Sequence, residues 1–307
     1  MIGLVDVDYT GYPNLALMKI AQYHIDLGEK VEFANHLFNH YDVVYKSKIF
    51  NFTDDDLTLY NCPVIKGGTG YDIYSKLPDN MEFVKPYYKL YNIAENKAYG
   101  FLTRGCPNKC AWCIVPKKEG GVKPYMDIEE IAIDGRNEIT LMDNNILASD
   151  YGLQQIKKII DLGLKVDFNQ GLDARLVTKD IAEMLSKVKW LRYIRFGCDT
   201  PKQIDECERA MNLIDSFGKK KQYLLYTIIN SDIQESYERL SYFRGFSNVR
   251  IFGQPFRDTM RKNVIPQWQK DMARWANVRR LWTKADFKEV EFRKQFRGIN
   301  HFYIKNI

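Results

Sequence analysis

Cys106, Cys110 and Cys113 stand within eight residues in the run TRGCPNKCAWCIVPKKEG, residues 103–120. The other cysteines, Cys62, Cys198 and Cys207, are scattered and make no second C-x-x-C pair. Clustered thiols in a chain with so few cysteines favour metal binding over a disulfide framework. Structural zinc takes four protein ligands, and none of the four histidines (His24, His36, His40, His301) lies near the run. Catalytic zinc leaves one position open, but three thiolates without a histidine or carboxylate are an unusual set for it. A [4Fe–4S] cluster suits the donors better: thiolates are its usual ligands, and three of them leave the fourth iron open for chemistry. Zinc, or three core thiols that happen to cluster, is the plainer alternative.

The elements that must position such a site follow from periodicity. IGLVDVD, residues 2–8, reads as a strand and leads into an amphipathic helix from about Pro13 to Gly28, with Leu15, Leu17, Met18, Ala21 and Ile25 at helical spacing. KVEFAN, YDVVYKSKIF and CPVIKGG add three β-rich runs, so a small Rossmann-like domain is expected over residues 1–95. From residue 96 to 260 six strand–helix units follow one another. The strands are KAYGFLTRGC, EITLMDNNI, KVDFNQG, LRYIRFGCD, KQYLLYTIIN and VRIFGQPF. The helix starts are marked by Ser149, Thr178 and Pro201, the stops by Gly163 and Gly218. Six βα units make an α/β fold with a partial (β/α)6 barrel, in which active residues sit at the strand C-terminal ends, by analogy with complete barrels.

Cys106-x3-Cys110-x2-Cys113, with the aromatic Trp112 before the last cysteine and a strand before the loop, resembles the signature of the radical S-adenosylmethionine enzymes. The resemblance implies a [4Fe–4S] cluster on the three cysteines and an open iron that chelates S-adenosylmethionine. Reductive cleavage then gives a 5′-deoxyadenosyl radical that abstracts hydrogen from a substrate. It also implies an electron donor such as flavodoxin or ferredoxin. By the family's pattern, the second strand end meets the amino group of S-adenosylmethionine. Here that end reads MDNN in place of a Gly-Gly-Glu run, and Asp143 and Asn144 are the expected contacts. Asn169 or Gln170 stands where a ribose contact is expected, Arg195 where the methionine carboxylate is, and Gly253 and Gln254 where adenine meets backbone. Asp199 falls at the substrate. Arg175 is expected to cap a helix or pair with an acid, and Cys198 to be a buried structural thiol.

The front domain resembles the cobalamin-binding domain that precedes the barrel in one branch of that superfamily, through YPNLALMKIAQYHIDLGEKVEF, YDVVYKS and PVIKGG. It lacks the Asp-x-His-x-x-Gly motif that supplies the cobalt ligand, so no cobalamin is expected. The methylthiotransferase branch adds cluster cysteines in its N-terminal domain and a C-terminal RNA-binding domain. Neither pattern is found here, which disfavours sulfur insertion.

The net charge of +6 at pH 7 is unevenly placed: residues 261–307 carry +8 and the first 260 carry −2. In this basic extension Trp268, Trp275 and Trp282 recur every seven residues, close to two helical turns, and predict a helical face packed on the barrel. Arg279, Arg280 and Lys284 then face outward, where a nucleic-acid substrate is the natural partner. Without that chemistry the same surface belongs to a non-catalytic iron–sulfur or zinc nucleic-acid-binding protein. The start MIGLVDVDYTGYPN has no basic stretch followed by an apolar one, and no apolar run reaches bilayer length, so a soluble cytoplasmic enzyme is expected.

Overall fold

The computed structural model describes residues 1–37, 39–258 and 263–287. It divides into two compact units, the first within residues 1–97 and the second from residue 98 onward.

In the first unit, β1 (Ile2–Asp6) lies between β2 (Val31–Phe33) and β3 (Val43–Ser47), with β4 (Val64–Gly67) beyond β3, and every pairing is parallel. Helix α1 (Leu15–Asp26) forms the β1-to-β2 crossover. The Asn14 side-chain oxygen accepts the Leu17 N–H at 3.2 Å and so caps it. Leu17, Ile20 and Ala21 of α1 bury against Ile2 and Leu4 of β1. The four expected strands are present. The β3-to-β4 crossover contains no helix, because residues 48–63 carry an Asp54–Asp56 run and no helical apolar period.

The second unit opens with β5 (Lys97–Gly100), β6 (Thr103–Arg104) and β7 (Lys123–Pro124). Antiparallel pairing of Thr103 with Pro124 and Arg104 with Lys123 ties the two ends of the cysteine loop together. Next come β8 (Glu138–Leu141), α2 (Asp150–Asp161), β9 (Lys165–Phe168), α3 (Lys179–Lys187), β10 (Lys189–Trp190) and β11 (Ile194–Gly197). The series closes with α4 (Lys202–Asp215), β12 (Tyr223–Ile229), α5 (Ile233–Tyr242) and β13 (Val249–Pro255). One sheet has the order β10-β9-β8-β5 and a second β11-β12-β13, with a parallel bridge between Leu172 and Phe196 joining them. The β8–β9, β9–β10, β11–β12 and β12–β13 pairs are all parallel.

Alternation sets the two faces of these sheets. In β12, Tyr223, Leu225, Thr227 and Ile229 are buried while Leu224, Tyr226 and Ile228 are half-buried. Ile156 and Ile159 of α2 and Met211 and Ile214 of α4 are among the buried apolar residues of the flanking helices. Ser149, Thr178 and Asp232 cap α2, α3 and α5 with their side-chain oxygens. After the cysteine loop, Asp127 caps a helix of only one turn, Ile128–Ile131, and the chain then bends through Asp134 and Gly135 at positive φ.

The basic extension breaks at Val278 into α6 (Gln267–Asn277) and α7 (Arg279–Lys284), so the three tryptophans do not share one continuous helix. Trp275 and Trp282 are nevertheless buried. Trp275 Nε1 donates to the Ala285 carbonyl at 3.0 Å and Trp282 Nε1 to that of Leu240 at 2.9 Å. The basic residues Arg261 and Lys262, and those beyond Phe287, lie outside the described residues. No described helix is long and apolar enough to cross a membrane.

Candidate active site

The cysteine loop leaves the β6–β7 pair through Gly105, whose φ of +88° is a left-handed conformation. A Cβ there would sit 2.2 Å from the Gly121 carbonyl oxygen, so only glycine lets the two arms of the loop meet. Glu119 then laces the loop shut. It takes a bidentate pair from Arg104, the Gly105 N–H at 2.9 Å and the Asn144 amide at 2.9 Å. The Arg104 guanidinium lies 3.9 Å from the centre of the Phe101 ring, which fixes the fork from its other side.

All three thiols are half-buried. Burial pushes the Cys110 thiol up, against the charge of Arg175, and the Cys106 sulfur adds to the upward push. Burial pushes Cys113 up as well, against the Val115 N–H, with Cys110 and Cys106 adding to it. Neighbouring sulfur thus disfavours the ionisation of Cys110 and Cys113, a cost that further positive charge beside them relieves. Among the described residues no three His, Cys, Asp or Glu side chains converge closely enough for a single metal ion. A cluster does not require that convergence, because each thiolate takes a different iron.

Strand ends surround the thiols. After β8, Asn145 places its amide nitrogen 3.6 Å from Cys106 Sγ and 3.2 Å from Asp173 Oδ2. Its amide oxygen is buried with no hydrogen-bond partner. After β9, Asp173 accepts from Arg175 at 2.7 Å through two nitrogens and from Asn108 of the loop at 2.9 Å. Burial pushes the Asp173 carboxyl up, but the hydrogen bonds from Arg175 and Asn108 outweigh it and hold it below the usual carboxylate range. After β11, Asp199 accepts the Ile228 N–H at 2.9 Å and is also hydrogen-bonded by Trp112. Burial keeps the Asp199 carboxyl raised all the same. The loop is thus pinned to β9 through Asn108 and to β11 through Trp112.

The remaining sequence-predicted residues are placed as follows. Asp143 is buried beneath the loop and accepts the Leu102 and Thr103 N–H groups and the Thr103 hydroxyl, so its carboxylate holds the β5–β6 turn. Asn144 bonds Glu119. Asn169 is engaged through its backbone, its carbonyl taking the Tyr226 hydroxyl at 2.9 Å, and Gln170 is exposed. Arg195 forms a bidentate pair with Asp167 and donates to Tyr226 at 2.6 Å. Gly253 has both backbone groups closed by the Asn277 amide, at 2.7 and 3.0 Å, so the backbone contact expected for adenine already has a partner. Gln254 is exposed, and Cys198 is buried. Asn145 escaped the sequence reading, although it ends the same MDNN run. Only the fold shows that the third polar residue of that run is the one turned toward Cys106.

No family model matches the chain. Curated relatives of the chain carry the name tRNA-2-methylthio-N(6)-dimethylallyladenosine synthase. That of Nitratiruptor is 31% identical over 116 residues, 36% of this chain and 23% of the relative. That of Natranaerobius thermophilus is 28% identical over 116 residues, 36% of this chain and 22% of the relative. That of Clostridium novyi is 25% identical over 164 residues, 50% of this chain and 32% of the relative. The resemblance to the radical S-adenosylmethionine enzymes holds. The name those relatives share is that of an enzyme, a synthase of a modified tRNA nucleoside. The matched segments span less than a third of the relatives' length.

Proposed function

We propose that this chain is a radical S-adenosylmethionine enzyme acting on a tRNA, with Cys106, Cys110 and Cys113 holding a [4Fe–4S] cluster. The observation that carries the reading is the orphaned Asn145 oxygen, buried beside the three-thiol loop with its amide nitrogen against Cys106. A buried acceptor without a donor carries a free-energy cost until something donates to it. The ammonium of S-adenosylmethionine is a donor of the required sign, so Asn145 takes the role expected of Asp143. When bound, the cluster supplies the electron for reductive cleavage of S-adenosylmethionine. The chain's own residues hold the loop (Arg104, Glu119, Asp143), keep Asp173 ionised (Arg175, Asn108), and shield the thiols. The strands β5, β8, β9, β11, β12 and β13 form the expected partial barrel over residues 96–260, a reading supported by the Leu172–Phe196 bridge between the sheets.

The tRNA substrate is supported by the relatives' names and by the +8 extension at residues 261–307. The methylthio step is not carried over, because residues 1–97 contain a single cysteine, Cys62, and offer no second three-thiol set. The first unit binds no cobalamin on this reading: its buried histidine, His24, already bonds Glu29 and Tyr45. Anaerobic reconstitution tests the whole proposal. About four irons and four sulfides per chain, with reductive cleavage of S-adenosylmethionine lost on replacing any one of the three cysteines by Ala, is the expected result. One zinc per chain, or full iron and cleavage in any of those variants, would overturn it.

A further inference from the structure

At the opposite end of β11–β13 from the cysteine loop lies a cavity of about 150 Å3. Arg192, Arg250 and Arg279 line it together with Tyr193 and Phe252, and among the described residues no carboxylate does. Leu224 also lines it, and Leu224 and Ile228 stand four residues apart on β12. The cavity is therefore roughly 13 Å along the strand from the Asp199–Ile228 contact.

Six other arginines of this unit each hold a carboxylate: Arg104, Arg175, Arg195, Arg209, Arg239 and Arg244. Among the described residues the three cavity arginines hold none. They are held in other ways. The Arg192 and Arg250 guanidinium carbons lie 4.9 and 5.6 Å from the centre of the same Tyr193 ring. Arg279 donates to the Ser247 and Val249 carbonyls at 3.2 and 3.5 Å. Tyr193 is itself buried, so two of the forks rest on a rigid aromatic support. Three positive forks around one concavity repel one another, and that cost is relieved when an anion enters.

We propose that this cavity is a phosphate-binding subsite, anchoring a backbone phosphate of the RNA on the half-open face of the sheet that carries the cysteine loop at its other end. A single carboxylate matches one guanidinium fork. A phosphate group offers oxygens to several at once, with up to twice the charge. Phe252, 39% exposed at the cavity, presents a ring on which a neighbouring base can stack. Arg192 and Arg250 lie outside the basic extension, so the subsite is not a restatement of that charge. The choice of RNA as the phosphate's source rests on the function proposed above; the anion subsite does not.

The test titrates the full chain with inorganic phosphate, with AMP and with an unmodified tRNA transcript at fixed low salt. It compares the parent with the double variant Arg192→Gln/Arg250→Gln and with the charge-retaining Arg192→Lys. Melting temperature and iron content report that the variants are folded. The double variant is expected to weaken tRNA binding at least about tenfold, the scale of one charge-assisted hydrogen bond, and Arg192→Lys less. If phosphate and AMP bind in an arginine-dependent way and tRNA does not, the subsite stands with a free nucleotide as the source, and the RNA reading of function falls. If the folded double variant binds every probe as the parent does, or the parent binds none, the subsite is refuted. Arginine-independent tRNA binding would refute it while leaving the RNA reading intact.

Discussion

The Asn145 amide nitrogen lies 3.6 Å from the Cys106 sulfur, and the oxygen of the same amide is buried without a partner. One side chain therefore presents a donor to a proposed cluster ligand and an acceptor to whatever binds beside it. A donor to a cluster sulfur stabilises the reduced, more negative state, so Asn145→Ala should lower the cluster's reduction potential. The shift should be on the order of tens of millivolts, given 59 mV per tenfold change for one electron. Loss of the acceptor should raise the KM for S-adenosylmethionine about tenfold. Redox titration and initial rates check both, with iron content unchanged. An unaltered potential and KM would remove Asn145 from the site.

Gly105→Ala tests whether loop closure, rather than the thiols alone, makes the site. The new Cβ would meet backbone, the Gly121 carbonyl at 2.2 Å, which cannot rotate away as a side chain could. The left-handed φ adds roughly 1–2 kcal/mol. The variant should lose most of its iron after reconstitution although all three cysteines remain. Gly120→Ala also has a left-handed φ, but nothing lies near its Cβ, so it should keep more iron. Equal iron in the two variants would count against a closed loop.

Much of the fold and part of the site were legible in the sequence, and the division has physical reasons. Strands such as YLLYTII alternate cleanly because one face packs on helices, and Ser149 and Thr178 act through purely local hydrogen bonds. The break at Val278 was hidden because a seven-residue tryptophan period survives it: both Trp275 and Trp282 remain buried, on separate helices. The cysteine run announced itself through donor chemistry. Its neighbours did not. Which polar group of MDNN faces the sulfur depends on the turn after β8, and the Arg195–Asp167 pair joins residues 28 apart in sequence. Long-range pairing of that kind leaves no local period to read.

The buried carboxyl of Asp143 should set a pH dependence that runs opposite to ordinary acid denaturation. Burial raises its pKa from 3.8 to about 6, against the hydrogen bonds from Thr103 and Leu102. Between about pH 4 and 6 the native state therefore holds a proton that the unfolded chain has released. This group's contribution to stability falls as pH rises through that window, and its cost is complete above pH 6. At 1.36 kcal/mol per unit the change is on the order of 3 kcal/mol. Denaturant titrations of parent and Asp143→Asn from pH 4 to 7 isolate it, because the other carboxylates are common to both. The stability of the parent relative to the variant should decline across the window. A flat difference would mean that Asp143 is ionised throughout.

The basic extension separates packing from charge. Trp275 is fully buried, stacks on Tyr237 with ring centres 6.0 Å apart, and donates to Ala285. Truncation to Ala should cost about 3–5 kcal/mol and lower the melting temperature by several degrees. Arg280 and Lys284 are exposed, whereas Arg279 is tied to the Ser247 and Val249 carbonyls and belongs with the cavity. Arg280→Gln/Lys284→Gln should therefore leave the melting temperature nearly unchanged. The same pair should weaken tRNA binding and flatten its dependence on salt by about two phosphate contacts, since each neutralised phosphate releases counterions. Binding curves at several salt concentrations measure that slope. If the parent binds tRNA with a steep salt dependence and the double variant keeps the same slope, these two charges do not touch the nucleic acid. Its contacts must then come from other basic residues of the chain.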